Sequence, residues 1–440
     1  MRLSLGGLCW LTQVTGAVIA LTKTIMSYIK IKNFGPIKSG FIENDGFLDI
    51  RKITVFIGNQ GTGKSSIAKL VSTFSWLEKT LCIGNLEEKE VTNYNRFVNK
   101  YCGYHNLKNY FSSDTVLKYK GNAYDFCFEE GRLNIDKKIG TFFEIEKYVV
   151  PKIMYIPAER NFFSVVREPE KLKGLPRSLY DFWEELVRSR RELSEHLTLP
   201  VGDVEFEFDE FKQQSYIIGN NYKLNLSEAS SGFQSFVPLF LVSRNIALSM
   251  NQSRESSQNE LSGEEQKVLQ AKVQKILADD SLADELKEAA LKLLSSQYRS
   301  ECFLNIVEEI EQNLFPTSQK DVFYKLLEFA NLREADRLIL TTHSPYIINY
   351  LTLAIKGYTV LQKISSSPNA DLLRQKLENV VPSASCVSEE NAIVYELTEQ
   401  GEIRKLSTYE GLPSDENYLN ISLAETNQLF DDLLEIEEQR

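Results

Sequence analysis

The chain has 440 residues, of which 42% are hydrophobic and 25% charged, so it can bury a large core in roughly two or three lobes. Its formal net charge of −11 argues against a surface that coats itself broadly with nucleic acid. Six cysteines without a C-x-x-C pair, and only three histidines, argue against a zinc or histidine-rich metal site and fit free thiols in a reducing compartment.

The N-terminal residues 1–25 are apolar with a basic second residue, as in a weak signal peptide. Gln13 and several Thr and Gly residues interrupt this run, so it is a poor membrane span. A strand begins directly after Met26, and a phosphate-binding motif follows, which would find no ATP outside the cell. We therefore expect translation to start at Met26, residues 1–25 to be an over-extended N-terminus, and the protein to be cytoplasmic without a membrane partner.

Residues 26–82 are predicted to form an N-terminal β subdomain followed by the P-loop and its helix. The stretch YIKIKNF alternates apolar and polar residues, which is typical of a half-buried strand, and ITVFIG is apolar enough for the centre of a sheet. After a glycine-rich turn, five apolar residues recur on one helical face: Ile67, Leu70, Val71, Phe74 and Leu77. Residues 83–150, rich in Tyr, Phe and Asn, are predicted to be an inserted lobe.

The middle of the chain, residues 151–257, is predicted to hold core strands and one helix. KIMYIP is a buried strand stopped by Pro157, VEFEFDEF and YKLNLSE are two strands of a hairpin around a GNN turn, and a helix begins near Ser230. The densest basic stretch, VRSRR at residues 187–191, is better explained as a solvated helix face than as a nucleic-acid groove.

The C-terminal third alternates helices and strands. Residues 258–300, rich in Leu, Ala, Lys and Glu, predict a helical hairpin with DDSLAD as its turn. Residues 301–360 are predicted to contain the strand CFLNIVEE, a helix ending near LEFAN, the strand RLILTTH and the helix SPYIINYL. Residues 361–440 are predicted to form a hairpin, NAIVYELTEQGEIRKLS, and a final amphipathic helix opened by a capping box of Ser422 and Glu425.

One segment matches the phosphate-binding pattern G-x-x-x-x-G-K-[ST] at every position: Gly58, Asn59, Gln60, Gly61, Thr62, Gly63, Lys64 and Ser65. The glycines let the backbone curl so that its N–H groups face phosphate oxygens, and the positive end of the next helix adds to the attraction. Lys64 supplies a charge to the β- and γ-phosphates, and Ser65 a hydroxyl to Mg²⁺. The motif predicts an ATP–Mg²⁺ site, and a glycine turn without a ligand is the weaker alternative.

The apolar strand FLNIV ends in two carboxylates, Glu308 and Glu309. A P-loop ATPase needs such a strand beside its P-loop strand, with the first carboxylate in the Mg²⁺ shell and the next polarising the attacking water. Taken alone, EEIE is equally well an ordinary helix start. Downstream of a P-loop, we predict Glu308 as a metal ligand and Glu309 as the catalytic base.

Two further segments are candidates for contact with the γ-phosphate. His343 directly follows the apolar strand LILTT and could position water or sense the phosphate, the alternative being a capping or core histidine. Ser231, Gly232 and Gln234 open a helix whose N-terminal N–H groups could receive the γ-phosphate of an ATP bound to another subunit. There the alternative is an N-cap with a packing glycine.

In this order, the motifs resemble the ABC-type ATPase heads of SMC, RecF and related proteins, over most of the chain from about Ile29 to Ile348. The resemblance implies an α/β fold with a RecA-like parallel core sheet, an antiparallel β subdomain and a helical insertion. It also implies roles for the residues singled out above: phosphate binding by Gly58 through Ser66, a signature loop at Ser231, Gly232 and Gln234, a magnesium-shell acid at Glu308, a catalytic base at Glu309 and a switch histidine at His343.

Four positions depart from the usual pattern of these heads. Phe233 stands where a second glycine is usual, Ser230 replaces leucine, Glu308 replaces aspartate, and Ile310 replaces proline. These departures resemble the branch of the family that is common in bacterial anti-phage systems. They imply slow hydrolysis, with ATP acting more as a clamp. The glutamine that such heads carry between P-loop and signature has no clear counterpart.

The absence of two features narrows the interpretation. No long heptad run separates P-loop and signature, which excludes a rod-like coiled coil, and no D-x-D follows His343, so we expect the chain to lack a nuclease of its own.

The stretch YIPAERNFF and the compact length resemble the ATPase subunits of two-gene defence systems, with the AriA-type subunit of PARIS as the nearest. This resemblance implies a homo-oligomer, which is at least an ATP-sandwich dimer and is expected to be a larger, ring-like assembly. It also implies that the oligomer holds a separate TOPRIM-type effector nuclease until a phage-encoded trigger protein arrives. The alternatives are a RecF-like DNA-repair ATPase acting on DNA and a scaffold that binds ATP without turnover.

Overall fold

The structure, a computed structural model, describes most of the chain, in six ranges: 27–138, 148–166, 168–193, 196–250, 263–279 and 282–438. The prediction of an over-extended N-terminus concerns residues 1–25, which lie outside these ranges. The first residues of the predicted helical hairpin also lie outside them.

A seven-stranded sheet forms the core of the molecule. Its strands are, in spatial order, β2 (Gly40–Phe41), β16 (Glu402–Lys405), β15 (Ala392–Leu397), β4 (Ile53–Gly58), β14 (Arg337–Thr341), β13 (Cys302–Val307) and β8 (Pro151–Ile156). From β15 to β8 the five strands run parallel, and β16 pairs antiparallel with β15, as the predicted C-terminal hairpin requires. β4, β13 and β14 are buried along their whole length, which is why their sequences read as continuous apolar runs.

A second, antiparallel sheet contains strands from both the first and the second predicted segments. Its order is β3 (Leu48–Ile50), β1 (Ser27–Phe34), β5 (Phe111–Lys120), β6 (Tyr124–Glu129) and β7 (Arg132–Lys137). β5 pairs directly with β1, so the described part of residues 83–150 extends the N-terminal sheet and does not form a separate one.

A third sheet corrects the predicted hairpin around the GNN turn. It consists of β9 (Leu197–Thr198), β10 (Glu205–Asp209), β11 (Gln214–Gly219) and β12 (Tyr222–Asn225), all antiparallel. The strand that pairs with YKLN across the turn is β11, and VEFEFDEF pairs with β11 from the other side. β11, QSYIIG, was missing from the prediction because its polar start hides the alternation. A short pair, β17 (Thr408–Tyr409) and β18 (Leu412–Pro413), lies near the C-terminus.

Eleven helices cover the sheets in the described part of the chain. They are α1 (Lys64–Cys82), α2 (Glu88–Thr92), α3 (Phe162–Val165), α4 (Arg177–Arg191), α5 (Ser231–Ser249), α6 (Gly263–Leu277), α7 (Asp284–Gln297), α8 (Pro316–Ala330), α9 (Pro345–Ile364), α10 (Ala370–Glu378) and α11 (Tyr418–Glu438). None of these helices combines the length and the apolar character that crossing a bilayer requires. The predicted fold class is confirmed: an α/β protein with a parallel core sheet, an antiparallel β subdomain and a helical insertion.

The core sheet is covered on both faces. Successive residues of a strand point to opposite sides, so Ile53, Val55 and Ile57 of β4 join one apolar core with α5, α8 and α9. Phe56 faces the other core, which contains α1 and the antiparallel sheet. The predicted apolar face of α1 is confirmed, because all five of its residues are fully buried there.

Two helices, α6 and α7, lie in the described part of the segment predicted as a helical hairpin, and they pack against each other. Lys79 of α1 forms an ion pair with Glu265 of α6 at 2.8 Å. Lys272 donates to the carbonyl oxygens of Ile83 and Gly84, just after α1. These contacts hold the insertion against the body of the protein.

The predicted start of the last helix is wrong. α11 begins at Tyr418, so Ser422 and Glu425 lie inside it and cannot form its capping box. The cap is Asn417, whose Oδ1 accepts a hydrogen bond from the backbone N of Asn420 at 3.2 Å. Both Asn417 and Ser422 are good N-cap residue types, and the sequence pattern alone does not decide between them.

The basic stretch at the end of α4 is only partly the solvated helix face that the sequence predicts. Arg190 is buried, with its guanidinium 5.5 Å from the ring of Trp183 and 5.9 Å from that of Phe208. Arg188 forms an ion pair with Glu185 at 3.0 Å. Two of its three arginines are therefore engaged within the fold.

Candidate functional site

The carboxyl ends of three neighbouring strands bring predicted site residues to one edge of the core sheet. β4 runs into the P-loop, β14 ends two residues before His343, and β13 ends directly before Glu308. This edge of a parallel sheet is where α/β proteins bind ligands. The predicted pairing of β13 with β4 is wrong, because β14 lies between them and pairs with both. Crossover helices join parallel strands, so chain order leaves the spatial order open.

The turn between β4 and α1 follows the path that the motif predicts. Gly58 has a φ of 140° and Gly63 a φ of 104°, values that favour glycine. A Cβ at Gly58 would stand 2.4 Å from the Leu397 carbonyl oxygen, and one at Gly63 would stand 2.8 Å from the Ile37 side chain. Both glycines are therefore required by backbone conformation and by packing. At Gly61 a Cβ would meet nothing within 4 Å, so the crown of the loop is open.

The other side chains of the loop hold it together or face solvent. Thr62 Oγ1 donates to the Asn59 carbonyl oxygen at 2.9 Å, and Asn59 Nδ2 donates to Glu399 Oε1 at 2.7 Å. Gln60 is exposed, whereas Ser66 is buried in the first turn of α1. The loop is thus tied to the turn that follows β15.

Lys64 is buried with its ammonium inside the loop. Its Nζ donates to the carbonyl oxygens of Gly58 at 2.8 Å and Asn59 at 2.7 Å. Burial lowers the pKa of Lys64 to about 8, and the carboxylates of Glu311 and Glu309 act in the opposite direction. Lys64 is therefore mostly protonated at pH 7 and places a positive charge at the centre of the loop.

His343 lies between Lys64 and Glu309. Its Nδ1 is 3.4 Å from Lys64 Nζ, and its Nε2 is 3.8 Å from Glu309 Oε1. An ammonium group can only donate, so Nδ1 is the acceptor and the ring proton is assigned to Nε2, on the side of Glu309. Burial and the charge of Lys64 lower the pKa of His343, so the ring is neutral at pH 7.

Glu309 adopts a left-handed backbone conformation, with a φ of 44°, which is uncommon outside glycine. Its backbone is held on both sides: its N donates to Thr341 Oγ1 at 3.2 Å, and its O accepts from Arg160 Nη2 at 2.7 Å. Burial, and then the nearby Glu311 and Glu308, raise the pKa of the Glu309 carboxyl. A half-buried carboxylate with a raised pKa on a strained backbone is a suitable general base.

Arg160 is at the centre of this arrangement, and sequence analysis did not identify it. Its side chain is fully buried and donates to four backbone carbonyl oxygens, those of Pro157, Ser235, Glu308 and Glu309. Burial lowers the pKa of the guanidinium to about 10, so it is charged at pH 7. The available sequence signal, an arginine three residues after the proline that stops β8, is not specific.

Glu308 is buried, and its Oε1 accepts no hydrogen bond from the described part of the chain. Lys69 Nζ lies 3.9 Å from this oxygen, and Ser65 is one turn before Lys69 on the same face of α1. Mg²⁺ in nucleotide sites takes one or two carboxylates together with phosphates and water. Ser65 and Glu308 fit that donor set, and no group of three or more His, Cys, Asp or Glu residues suited to a metal occurs among the residues described.

Glu311 is a second side chain that sequence analysis did not single out. One of its carboxylate oxygens accepts from the backbone N of His343 at 2.6 Å, and the other accepts from Thr342 Oγ1 at 2.8 Å. It fixes the end of β14 to the turn after β13 and so positions the histidine. Its only sequence signal is its place in EEIE, two residues after Glu309.

The predicted signature residues lie at the N-terminus of α5. Ser231 is exposed. A Cβ at Gly232 would stand 2.9 Å from the Asn313 carbonyl oxygen, so close packing requires a glycine there. Gln234 Nε2 donates to two carbonyl oxygens of the preceding loop. This amide nitrogen therefore stabilises the loop, and the prediction that Gln234 contacts a nucleotide stays a prediction.

Within one chain, the signature residues are separate from the P-loop. Among the residues described, no hydrogen bond or ion pair joins Ser231 or Gly232 to residues 58–66. α5 contacts the turn after β13 instead. Ser235 Oγ donates to Gln312 Oε1 at 2.9 Å, and Arg160 bridges the two segments by donating to the carbonyl oxygens of Ser235 and Glu309. The structure thus brings together the P-loop, the two carboxylates and the histidine.

No protein-family model matches the chain, and no curated protein matches it significantly. Solved structures with a similar fold include the SMC head domain from Thermotoga maritima, with 12% identity, a TM-score of 0.30, and coverage of 74% of this chain and 91% of that one. The Smc head domain with an extended coiled coil from Pyrococcus furiosus, bound to the C-terminal domain of ScpA, has 10% identity, a TM-score of 0.35, and coverage of 93% and 99%.

A nucleotide-free ATP-binding cassette from an ABC transporter has 9% identity, a TM-score of 0.29, and coverage of 88% of this chain and 93% of its own. All three are heads or cassettes of the class that the motifs resemble.

Replacing Arg160 by Met is expected to lower the free energy of unfolding by roughly 2–4 kcal/mol, because four buried carbonyl oxygens lose a charged donor. The measurement is urea unfolding followed by fluorescence. The matched control is Arg191→Met at an exposed position of α4, for which a change within about 0.5 kcal/mol is expected. Equal unfolding midpoints for the two variants would show that Arg160 does not hold these segments together.

Proposed function

We propose that the protein binds ATP with Mg²⁺ at the carboxyl edge of the core sheet and hydrolyses it. The observation that carries this proposal is the row of Lys64, His343 and Glu309, in which neighbouring groups are 3.4 and 3.8 Å apart. Transfer of a phosphoryl group to water needs a charge on the phosphates, a polar group beside the γ-phosphate and a base for the water. The ammonium, the neutral imidazole and the carboxylate with a raised pKa supply these in that order.

On binding, Lys64 exchanges its two loop carbonyls for oxygens of the β- and γ-phosphates. Ser65 and Glu308 are the residues that hold Mg²⁺, which neutralises phosphate charge when bound. The Glu309 carboxylate accepts a proton from the attacking water, and Nε2–H of His343 donates a hydrogen bond toward that water. The bonds of Arg160 and Thr341 keep the Glu309 backbone fixed during this step.

Glu309→Gln is expected to lower kcat for ATP by at least about a hundredfold, because a general base contributes on the order of 10²–10⁴ to the rate. ATP affinity should change little, whereas Lys64→Ala should lose most of it. Phosphate release measures turnover, and titration with a fluorescent ATP analogue measures binding. The matched control is Glu130→Gln, an exposed glutamate that also has a left-handed φ, 51°, far from the site in sequence.

Wild-type turnover at the level of Glu309→Gln would contradict hydrolysis and favour a scaffold that binds ATP without turnover. A loss of turnover in Glu130→Gln would show that the fall in kcat is not specific to the proposed base, Glu309.

We further propose that two copies share each ATP, with α5 of one copy facing the P-loop of the other. Two observations support this arrangement. The N-terminus of α5 has an exposed Ser231 and no side-chain cap, so its orphan N–H groups can bind an anion. The segment that contacts it continues into Phe315, a large apolar side chain that is 73% exposed. A surface of this kind is suited to burial against a second copy.

With ATP and Mg²⁺, the Glu309→Gln protein is expected to form dimers, because blocked turnover keeps the shared nucleotide in place. Adding Ser231→Glu should return it to monomers, since the new carboxylate repels the γ-phosphate, while ATP binding by the monomer persists. Sedimentation velocity measures the mass. The matched control is Asn221→Glu, which adds the same charge at the exposed β11–β12 turn. If the dimers persist with Ser231→Glu, the N-terminus of α5 does not lie in the dimer interface.

At the level of the cell, we propose a cytoplasmic ATPase of anti-phage defence that holds a separate effector nuclease, of TOPRIM type, until a phage-encoded trigger protein arrives. Support comes from the resemblance of the motifs, and of the stretch YIPAERNFF, to ATPases of bacterial anti-phage systems. DNA is not favoured as a ligand, because the net charge is −11 and the densest basic stretch is largely engaged within the fold.

Cells carrying the gene together with a neighbouring nuclease gene are expected to give fewer phage plaques than cells with either gene alone. Lys64→Ala should abolish this protection, because the ATP-dependent assembly would not form. Plaque efficiency is the measurement, and Glu130→Gln is the control. Strong stimulation of phosphate release by plain duplex DNA, without any partner, would instead support the RecF-like repair alternative.

A further inference from the structure

The C-terminal helix α11 is anchored to the body of the protein by its first turn. Tyr418 N donates to Glu396 Oε1 of β15 at 2.6 Å, and Asn417 caps the helix. Leu419 packs against the core that contains β4. After this turn, the side chains described up to Glu438 are almost all exposed. The helix therefore has a fixed first turn and a long exposed part, residues 427–438.

This exposed part of α11 carries an apolar stripe. Large apolar side chains recur three and four positions apart, which places them on one face of the helix. They are between 43% and 65% exposed: Leu429, Phe430, Leu433, Leu434 and Ile436. A helix on the surface of a globular protein normally turns such a stripe toward its own core, and a contiguous exposed patch marks an interaction surface.

The charges around the stripe all have one sign. Between residues 406 and 438 the sequence contains no Lys or Arg. At about 100° per residue, Glu425 and Asp432 lie along one side of the stripe, and Asp431 and Glu438 lie along the other. The apolar surface is therefore flanked by carboxylates on both sides.

This charge pattern decides between two kinds of partner. If two copies of α11 paired through their stripes, carboxylates would face carboxylates across both edges, which is a standard way of preventing self-association. A partner with Lys or Arg beside an apolar surface would instead form ion pairs along both edges. The complementary surface is thus basic, which a second α11 is not.

We propose that α11 is a docking helix for a partner protein whose apolar groove or helix face is flanked by Lys and Arg. The mode is that of an amphipathic helix laid into a groove, with the stripe as anchor and the carboxylates setting specificity. This proposal goes beyond the ATPase reaction and does not depend on it, because none of the residues of the stripe belongs to the nucleotide site.

The test uses the full chain and two fluorescent helical peptides of the same length as α11. Both have leucines at core heptad positions, and they differ only in having Lys or Glu at the flanking positions. Fluorescence anisotropy should show binding of the Lys peptide alone, and its affinity should fall as salt rises. Leu433→Glu should weaken binding at least about tenfold, since it places a charge in the centre of the stripe. The matched control, Ala424→Glu, adds the same charge at an exposed position on the opposite face and should bind within about twofold of wild type.

The proposal is overturned if the Lys peptide does not bind, if both peptides bind equally, or if Ala424→Glu loses as much affinity as Leu433→Glu. It is also overturned if the wild type self-associates without ATP and Leu433→Glu reverses this, because a second copy would then cover the stripe. Phosphate release is measured on the same samples. Intact turnover without peptide binding removes only the docking role, and peptide binding without turnover removes only the ATPase.

Discussion

The structure depends on one buried positive charge, that of Arg160. A charged group without access to water needs hydrogen-bond acceptors, and each guanidinium nitrogen of Arg160 donates to at least one backbone carbonyl oxygen, from the end of β8, the start of α5 or the turn after β13. These segments are far apart in the sequence, so no local preference holds them together. The left-handed Glu309 lies in that turn, and the guanidinium offsets part of the cost of its backbone conformation. Arg160 is thus what keeps the proposed base in place.

Burial also sets the charges at the edge of the core sheet. It lowers the pKa of Lys64 and of His343 and raises that of Glu309, since in each case it opposes the charged form. A cation and a carboxylate this close would otherwise form a direct ion pair and neutralise each other. The neutral imidazole lies between them, 3.4 Å from one and 3.8 Å from the other. Each end of the row therefore keeps the charge state that its proposed function needs, a cation for phosphate at one end and a proton acceptor at the other.

What the sequence predicts well is what short-range chemistry determines. The P-loop is encoded in consecutive residues, and the structure shows why Gly58 and Gly63 cannot carry a side chain. The buried strands are equally clear, because each reads as a continuous apolar run. What it does not predict depends on contacts between distant residues. The place of β14 between β4 and β13 is set by crossover packing, and Arg160 and Glu311 act on backbone groups that no sequence pattern marks. The prediction of the α11 cap was wrong for a different reason, since two suitable residues, Asn417 and Ser422, lie only five positions apart.

The base of α11 and the P-loop are joined through a single strand. Glu396 on β15 accepts the hydrogen bond that starts α11, and Glu399, three residues later, accepts the hydrogen bond from Asn59 in the loop. β15 itself pairs with β4, the strand that leads into the loop. A rearrangement of Asn59 when Lys64 turns from the loop carbonyls to phosphate would therefore act on the strand that carries the helix.

Arg160 connects Glu309, the proposed general base, to α5 in the same way. The proposed nucleotide site is thus linked on one side to the surface proposed to meet a second copy. On the other side it is linked to the surface proposed to meet a different protein. An ATPase that holds a partner needs both connections, because the state of the nucleotide must reach each interface.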